Sequence, residues 1–324
     1  MRSTVAGVDV GGTTIKAVLT RGSGAILCEP HIATPRPGPG IADRVADAVR
    51  ECVEQLRARG PAPPSALGVA VPGIVDEAAG LAVFSQNLGW RDAPLRDMIA
   101  ERTGLPTAFG HDVRTGALAE ARLGAGRGCG ASLFLPIGTG ISAALPLDGR
   151  PYSAHGYAGE IGHVDVGHSE PCACGATGCL EAVASAAAIA RRYSARTGRG
   201  VFGAAEVLGA VRHGDAAAAA VWDEALDAIA RALSVIASVL APEALIFGGG
   251  LALAGSQLIE PLRGRLEARL TFQRRPRLRT AALGDLAAGL GAALLADELL
   301  HRAVRSGGQF APRRPFFRNF PMAY

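Results

Sequence analysis

Lysine and aromatic side chains are scarce in this sequence. Lys16 is the only lysine, so the remaining Lys/Arg charge is all arginine, and the three aromatic types make up 5% of the 324 residues. The arginines are spread along the chain, and the formal net charge is only +4. Nucleic-acid binders gather basic residues on one face, with stacking aromatics or a DNA-reading module. No helix-turn-helix segment precedes the first strand, so the sequence predicts no nucleic-acid partner.

Long apolar runs are also missing, although 49% of the residues are hydrophobic. A membrane-spanning helix needs about eighteen or more consecutive apolar residues, and the first residues lack the apolar core and cleavage site of a signal peptide. Cys28, Cys52 and Cys129 are scattered rather than arranged as a disulfide framework, which fits a reducing compartment. We therefore expect a cytoplasmic protein without a membrane partner, long enough for two domains.

Strand and helix patterns alternate along the chain. A strand at residues 4–10 is followed by glycines and a second strand, and a similar order of strand, glycine turn and short strand begins at residue 132. Helical periodicity predicts helices at residues 41–59, 92–103, 113–123, 184–194 and 216–240, and short apolar runs predict buried strands at 67–71 and 244–247. This repetition predicts a duplicated α/β protein with mixed sheets and a domain boundary near Arg114.

One histidine and three cysteines follow the spacing G-H-x8-C-x-C-x4-C. They are His163, Cys172, Cys174 and Cys179. Three thiolates and one imidazole suit a closed tetrahedral Zn²⁺ site, which leaves no position for water and is therefore structural. The alternative is a set of ordinary buried or paired cysteines. A metal here would fix the loop that carries two acidic residues, Glu160 and Glu181.

Three glycine-rich segments are candidates for phosphate binding. Glycines let backbone amides approach a phosphate closely, and threonine hydroxyls add hydrogen-bond donors. The sequence has no P-loop motif, and its first glycine segment is not followed by a helix, which excludes the dinucleotide fingerprint. An ordinary tight turn remains the alternative for the first segment alone. The candidate nucleotide-binding residues are Asp9, Gly11, Gly12, Thr13, Thr14, Lys16, Gly138, Thr139, Gly140, Gly248, Gly249 and Gly250.

Together with Asp112, these segments resemble the superfamily of sugar kinases, heat-shock protein 70 and actin. Residues 158–163 and 172–181 narrow the resemblance to the ROK family, bacterial hexose kinases and their regulatory relatives, and it extends from residue 9 to a segment at 284–292. The resemblance implies a duplicated actin-like ATPase fold with a nucleotide cleft between two domains. Residues 1–114 would form the first, with one phosphate hairpin and sugar contacts. Residues 115–308 would form the second, with the other hairpin, the zinc loop and the nucleotide glycines, followed by a Pro/Phe/Arg tail at 309–324.

The resemblance also implies an activity: ATP-dependent phosphorylation of the C6 hydroxyl of glucose or a related sugar. Asp112 matches the catalytic general base, which accepts the proton of the attacking hydroxyl; a helix N-cap is the structural alternative for this residue. Asp9 would orient the catalytic Mg²⁺ through water. The sugar-contacting positions would be Gly73, Asn87, His111, Asp112, Glu160, His163 and Glu181. Family members are commonly homodimers or homotetramers.

Two departures from the family pattern leave the substrate open. His111 stands where the family usually has asparagine before the catalytic aspartate, and Ser142 follows the second glycine turn where further glycine is more usual. An imidazole is bulkier than an amide and titrates near neutrality, so it would reshape the sugar pocket. The alternatives to glucose are amino sugars, namely kanosamine, N-acetylmannosamine and N-acetylglucosamine. A phosphoryl donor other than ATP and a sugar-sensing regulator are further alternatives.

Overall fold

The computed structural model describes residues 3–21, 24–147 and 149–305, without the side chains of 303–305. The chain divides into two compact units. Among the described residues, unit 1 contains 3–21, 24–123, 149–158 and 285–305, and unit 2 contains 124–147 and 159–284. The predicted tail at 309–324 lies outside the described residues. In the part of the chain that is described, no helix combines the length and the apolar character needed to cross a bilayer.

Unit 1 is built around a mixed six-stranded sheet. Its strands and helices are β1 (Thr4–Val10), β2 (Thr14–Arg21), β3 (Ala25–Cys28), β4 (His31–Ala33), α1 (Ile41–Arg59), β5 (Leu67–Val71), β6 (Ile74–Asp76), β7 (Leu81–Phe84), β8 (Arg91–Ala93), α2 (Leu95–Thr103), β9 (Thr107–His111), α3 (Asp112–Arg122), β12 (Arg150–Pro151) and α9 (Ala287–Arg305). The order of the main sheet is β3-β2-β1-β5-β9, with β4 beside β2, and β6, β7 and β8 form a second sheet. Strands β1, β5 and β9 are parallel, whereas β2 is antiparallel to β1.

Both faces of the main sheet of unit 1 are covered. Alternate residues of β1, such as Val8 and Val10, belong to a core that includes the buried faces of α1 and α2. The opposite face of the sheet contacts α9, and glycine permits the close approach. A Cβ at Gly7 would lie 2.0 Å from the carbonyl oxygen of Gly289, and one at Gly68 would lie 1.8 Å from that of Ala292. The helix backbone therefore rests directly on the strands.

Unit 2 contains a parallel sheet and most of the helices. Its elements are β10 (Ser132–Pro136), β11 (Pro146–Leu147), α4 (Leu180–Ala184), α5 (Ala186–Thr197), α6 (Ala204–Arg212), α7 (Ala216–Leu240), β13 (Ala244–Gly248), α8 (Ser256–Glu267) and β14 (Arg277–Thr280). The sheet order is β10-β13-β14. Leu135 and Phe247 of the sheet and Leu233 of α7 are fully buried in one core. This core supports the ends of β10 and β13.

The observed units differ from the predicted division at residue 114. Helix α3 stays whole in unit 1, and α9, which was assigned by sequence to the second domain, also belongs to unit 1. The close glycine contacts of α9 with β1 and β5 explain this assignment, because they join segments that are far apart in the sequence.

Three local predictions are corrected by the structure. The helix expected at 92–103 begins at Leu95. Residues 91–93 instead form β8, which pairs with β7, and Asp92 has a φ of 47°. The helix expected at 184–194 is divided between α4 and α5 at Ser185, whose side chain accepts a hydrogen bond from the Ala188 N–H and caps α5. After the second glycine turn, the expected strand is reduced to isolated bridges, Ile137 to Ile141 and Phe134 to Ala144.

Candidate active site and metal centre

Two acidic residues of unit 1 lie at the same edge of the main sheet. Asp9 is in register with Ala70 of β5, and Ala70 is in register with Gly110 of β9. Asp112 comes two residues after Gly110, where β9 ends and α3 begins. The carboxyl ends of parallel strands form the usual ligand edge of an open α/β sheet. The structure therefore brings the predicted base and the predicted magnesium-orienting residue to one edge.

The backbone around Asp112 holds its carboxylate in place. One oxygen, Oδ1, accepts a hydrogen bond from the Val113 N–H at 2.6 Å, and the Asp112 carbonyl accepts one from the Thr115 hydroxyl at 2.8 Å. The carboxylate also lies in the first turn of α3, where the helix dipole favours negative charge. The N-cap position itself belongs to His111, which makes no side-chain capping bond. The Asp112 carboxylate is therefore held at the sheet edge.

Negative charge is concentrated around Asp9. Burial, and then the neighbouring charge of Asp112, raise the pKa of the Asp9 carboxyl to about 7, with a smaller contribution from Asp285. Lys16 opposes this shift, and its ammonium Nζ lies 2.9 Å from Asp285 Oδ2. Lys16 thus interacts with both Asp9 and Asp285. Carboxylate oxygens are the ligands that hard divalent cations prefer.

The first glycine segment forms a tight hairpin between β1 and β2. The Gly11 N–H donates to the Thr14 carbonyl at 3.1 Å, and a Cβ at Gly11 would lie 2.8 Å from that oxygen. Thr34 ties the hairpin to β4, because its hydroxyl donates to the Gly11 carbonyl at 2.7 Å. Gly12 and Thr13 remain exposed at the tip. The predicted motif therefore presents backbone amides and a hydroxyl at a rigid turn.

Gly73 and Asn87, two predicted sugar positions of unit 1, lie in connections between strands. Gly73 follows β5 with a φ of 99°, and a Cβ there would lie 2.1 Å from the Phe84 carbonyl oxygen, so only glycine fits. Asn87 is exposed in a turn closed by the Gly89 N–H, which donates to the Ser85 carbonyl. His111 is the last residue of β9 and is buried. The contacts of Asn87 and His111 with sugar remain predictions.

A buried ion pair beside His111 was missed by the sequence analysis. The Arg114 side chain is buried, and its Nε donates to Glu77 Oε1 at 2.8 Å. The same oxygen accepts from the His111 N–H at 3.3 Å, so Glu77 ties β9 to the end of β6. In the sequence, this pair is visible only as an acidic residue, Glu77, after one strand and an arginine two residues after Asp112. The sequence contains many arginines, and a contact between residues far apart in sequence leaves no local pattern. Arg114 was therefore not recognised.

The environment of His111 favours its neutral form. Burial lowers the pKa of this imidazole, and the Arg114 guanidinium also lowers it, whereas Asp112 opposes the shift. His111 Nδ1 lies 3.3 Å from Asp112 Oδ1 without hydrogen-bond geometry, and this buried nitrogen has no hydrogen-bond partner among the described residues. A neutral imidazole can donate from one nitrogen and accept at the other.

Unit 2 brings its two glycine segments together at the carboxyl ends of adjacent parallel strands. Pro136 of β10 is in register with Gly248 of β13, and the Ile137 N–H donates to the Gly248 carbonyl at 3.0 Å. Gly249 has a φ of 71°, and a Cβ there would lie 2.5 Å from the Ile137 carbonyl oxygen. The turn at residues 138–140 is closed by the Gly138 N–H, which donates to the Gly140 carbonyl. The second and third candidate phosphate segments therefore share one sheet edge.

The four candidate zinc ligands also converge. One ligand atom from each of His163, Cys172, Cys174 and Cys179 lies within 4.8 Å of all the others. The Cys174 and Cys179 Sγ atoms are 3.7 Å apart, and Cys172 Sγ is 3.8 Å from His163 Nδ1. Zinc–sulfur bonds of about 2.3 Å in a tetrahedron place sulfurs about 3.8 Å apart. The spacing of these atoms fits Zn²⁺, and it directs His163 Nδ1 toward the cysteines.

The thiols of the cluster differ in acidity. A hydrogen bond from the Ala176 N–H is the main reason why the pKa of Cys174 is lowered to about 7. Burial is the main reason why the pKa of Cys179 is raised to about 12, and the adjacent thiols add to the shift. The neighbouring thiols favour the ionised form of Cys174 but conflict with the ionisation of Cys179. A divalent metal removes that conflict because it is itself the largest local charge and binds thiolates.

The two acidic residues flanking the cluster are held differently. Glu160 immediately precedes a short 3₁₀ turn, and its carbonyl accepts a hydrogen bond from the His163 N–H. Glu181 lies in α4, two residues after the candidate ligand Cys179. Its Oε2 accepts a hydrogen bond from the Ile141 N–H at 2.8 Å. Glu181 therefore contacts the residue that follows the second glycine turn. The sequence analysis had not anticipated this contact.

The sequence pattern of the ROK family matches residues 5–299. This chain belongs to the ROK family. It is 34% identical over 280 residues to a glucokinase of Halalkalibacterium halodurans, covering 81% of this chain and 84% of that protein. It is 32% identical over 294 residues to a kanosamine kinase of Amycolatopsis mediterranei, covering 90% and 95%. A ROK family glucokinase from Streptomyces griseus, solved with glucose and AMPPNP, matches with a TM-score of 0.76 at 30% identity over 91% of this chain and 99% of that one. The predicted family and actin-like α/β fold are thereby confirmed.

Proposed function

We propose that this ROK family member is an ATP-dependent sugar kinase that phosphorylates the C6 hydroxyl of glucose. The observation that carries the proposal is the position of Asp112 at the carboxyl edge of the unit 1 sheet, at the same edge as Asp9. Glucose is favoured because the glucokinase relatives resemble this chain over most of its length.

Asp112 acts as the general base. It accepts the proton of the sugar hydroxyl while that oxygen forms a bond to the γ-phosphorus of ATP, and the bond from this phosphorus to the β,γ-bridging oxygen breaks to release ADP. An aspartate suits this role because its carboxylate can accept a proton from a hydroxyl within hydrogen-bond reach. General-base assistance contributes about 10² to 10⁴-fold, and alignment of the reacting groups contributes much of the rest.

Sugar hydroxyls would be bound by turn and loop residues of each unit. The proposed contacts in unit 1 are Gly73, Asn87 and His111. In unit 2, the carboxylates of Glu160 and Glu181 accept hydrogen bonds from hydroxyls. His163 Nε2 donates to the sugar, because Nδ1 faces the cysteine cluster. Ligation through one nitrogen fixes the ring and therefore the direction of the other.

The nucleotide would be bound by the glycine segments of the two units. In unit 1, the hairpin at residues 11–14 presents amides and hydroxyls to phosphate oxygens. In unit 2, the turn at 138–140 and the segment at 248–250 share the carboxyl edge of β10 and β13, where glycine allows close backbone approach. ATP is the phosphoryl donor favoured by the glucokinase relatives.

The residues present fit both proposed metals. Mg²⁺ would be oriented by Asp9 through water, and when bound it neutralises charge on the transferred phosphoryl group. The excess of carboxylates over Lys16 at this edge supports a cation there. Zn²⁺ would be held by His163 and the three cysteines, whose spacing matches a tetrahedral centre. This zinc is structural because all four of its positions are filled by the protein.

Amino-sugar phosphorylation is the second candidate, and His111 favours it. The kanosamine kinase relative resembles this chain over nearly its full length. His111 is buried, burial lowers the pKa of its imidazole, and Nδ1 has no hydrogen-bond partner among the described residues. Such a group could pair with an amino or acetamido substituent. The homodimer or homotetramer implied by the family resemblance stays a prediction, which light scattering would check.

A coupled ADP-release assay over several sugars tests the proposal. Glucose, mannose, fructose, N-acetylglucosamine, N-acetylmannosamine and kanosamine should be compared with ATP and Mg²⁺, with glucose expected to give the highest kcat/KM. Asp112→Asn should lower kcat by about 10² to 10⁴-fold while sugar binding persists. Asp97→Asn is the matched control, because Asp97 is exposed on α2. Near-normal turnover in Asp112→Asn would remove this residue from the mechanism, and sugar binding without turnover in the wild type would indicate a sensor.

A further inference from the structure

Glu181 is joined to the second glycine turn as well as to the zinc loop. Its Oε2 accepts a hydrogen bond from the Ile141 N–H at 2.8 Å. The turn at residues 138–140 immediately precedes Ile141. The carboxylate is so close that a Cβ on Gly140 would lie 2.6 Å from the same oxygen. A Cβ at position 140 would therefore displace this carboxylate.

The other end of the turn is held by the same short segment of chain. The Ala186 N–H donates to the Gly138 carbonyl at 2.8 Å. Residues 181–186 thus bind the turn on both sides, once through a side chain and once through the backbone. Ser185, between these two contacts, caps α5 and fixes the segment.

Two links join the candidate zinc ligands to the segment at residues 181–186: the chain itself and one backbone hydrogen bond. Cys179 immediately precedes α4, and the Leu180 N–H donates to the Val164 carbonyl at 2.9 Å. The position of Glu181 is therefore determined by two residues that adjoin zinc ligands. Its second carboxylate oxygen, Oε1, remains available for a sugar hydroxyl.

We infer that Glu181 is a positioning residue for the phosphate turn and couples sugar binding to nucleotide binding within unit 2. This inference rests on the proposed function. The Ile141 N–H, directly after the turn, needs an acceptor. The Glu181 carboxylate accepts a charge-assisted hydrogen bond from it. Sugar bound at Oε1 restricts the same side chain, so the turn is already ordered when nucleotide arrives. By linkage, nucleotide raises sugar affinity by the same factor.

The experiment measures nucleotide affinity with and without sugar. Calorimetry should give the Kd of AMPPNP with Mg²⁺ for the wild type and for Glu181→Gln, Glu181→Ala and Glu160→Gln. Without sugar, Glu181→Ala should weaken nucleotide binding by roughly tenfold, because the Ile141 N–H loses its acceptor. Glu181→Gln keeps an acceptor oxygen and should recover most of that loss. Glu160→Gln should weaken sugar binding while the sugar-free nucleotide Kd stays within about twofold.

A second comparison tests the coupling itself. In the wild type, saturating glucose should lower the nucleotide Kd by about 5- to 100-fold, and Glu181→Ala should reduce this factor toward one. Zinc content and melting temperature confirm that each variant is folded. Equal sugar-free nucleotide affinity in the wild type and Glu181→Ala would overturn the inference, as would equal losses in the Glu181→Ala and Glu160→Gln variants.

The outcome is distinguishable from failure of the proposed function. The sugar-free measurement depends only on the contact between Glu181 and the turn. If the wild type binds nucleotide and Glu181→Ala weakens it, but no sugar is phosphorylated, the proposed activity is wrong and the positioning role stands. If sugars are phosphorylated and the Glu181 variants bind nucleotide normally, the activity stands and the positioning role is wrong.

Discussion

The two units each present candidate phosphate-binding glycines at the edge of a sheet, but they hold them by different means. In unit 1, the glycine hairpin is continuous with β1 and β2, which pair along their full length from Thr4 with Arg21 to Val10 with Ile15. In unit 2, isolated bridges flank the glycine turn, which is held by the Glu181 side chain and the Ala186 backbone. The unit 1 hairpin continues a backbone ladder and receives one side-chain hydrogen bond, from Thr34, whereas the unit 2 turn depends on contacts from Glu181 and Ala186.

This difference also separates the roles of the two units in the proposed reaction. In unit 1, the candidate base Asp112 directly follows a strand of the main sheet. It lies near the carboxylate of Asp9, which also interacts with Lys16. Unit 2 carries the candidate sugar-binding residues Glu160, His163 and Glu181 at the two ends of an irregular loop, which also contains the candidate zinc ligands. A loop with a metal at its base can be precise without being part of a sheet. Each of the substitutions that follow changes a residue of one unit.

Removing zinc should have the largest effect, and it should be confined to unit 2. Structural zinc supplies about 10–16 kcal/mol of apparent binding free energy in zinc-finger peptides. Cys174→Ala should therefore lose zinc and lower kcat/KM for glucose by roughly a hundredfold, because Glu160 and Glu181 lose their fixed positions. Metal analysis, the kinase assay and limited proteolysis of residues 160–181 are the measurements.

Cys28→Ala provides the control for zinc removal, since Cys28 lies in β3 of unit 1, outside the cluster. This variant should retain zinc and activity. Full activity of the Cys174→Ala protein after its zinc has been shown to be absent would contradict the structural role of the metal.

Adding a methyl group beneath α9 should have the next largest effect, and it should act on unit 1. In Gly68→Ala, the new Cβ would lie 1.8 Å from the Ala292 carbonyl oxygen, so β5 and α9 must separate. We expect a loss of about 3 kcal/mol in the free energy of unfolding, measured by urea denaturation. Zinc content should be unchanged.

The matched control is Gly264→Ala on α8. Gly264 is exposed, and nothing lies within 4 Å of a Cβ at this position. Alanine should raise stability here by about 0.5–1 kcal/mol, because it is the better helix former. Equal effects of the two substitutions would mean that α9 does not pack as described.

These packing contacts mark the limit of what the sequence could predict. Helices α1 and α7 and strands β1 and β5 have the predicted bounds, because periodicity and flanking prolines or glycines are local signals. The attachment of α9 to unit 1 was not predicted, since Gly289 and its partner Gly7 are far apart in sequence. A glycine within a helix does not by itself show a close approach, since Gly289 and Gly291 lie in α9 as Gly264 lies in α8, where a Cβ would meet nothing within 4 Å.

The same limit applies to the candidate site. The four zinc ligands and the three glycine segments were recognisable because each set has a characteristic spacing, and the structure brings each set together within its own unit. The pairing of Glu77 with Arg114, and that of Glu181 with Ile141, depend on contacts over more than thirty residues of sequence. The roles proposed for the site residues in catalysis and sugar binding remain to be measured.

Neutralising Asp9 should stabilise unit 1 in the absence of metal and nucleotide. Its folded pKa of about 7 lies above the ordinary value of 3.8, so the folded state keeps a proton that the unfolded state loses. Stability should therefore fall as pH rises from about 4 to 7 and stay lower above 7. Asp9→Asn removes this penalty and should add roughly 2 kcal/mol at pH 8, with little change at pH 4.

Thermal melts at both pH values, with chelator present, would measure this effect. Asp97→Asn is the control, because Asp97 is exposed and should show no such difference between the two pH values. If Asp9→Asn and the wild type lose stability equally between pH 4 and pH 8, another group is responsible for the pH dependence.

The smallest expected effect is a change of substrate preference at His111. An asparagine would restore an amide beside Asp112 and remove a buried imidazole whose Nδ1 lies 3.3 Å from the Asp112 carboxylate. Because a polar contact to one substituent discriminates by about 1–3 kcal/mol, His111→Asn should shift the ratio of kcat/KM for glucose to that for kanosamine toward glucose by roughly tenfold. Glu77→Gln should shift this ratio less, since Glu77 contacts Arg114 and the backbone N–H of His111 rather than its imidazole. An unchanged ratio in His111→Asn, with both sugars still phosphorylated, would place the origin of acceptor preference outside this residue.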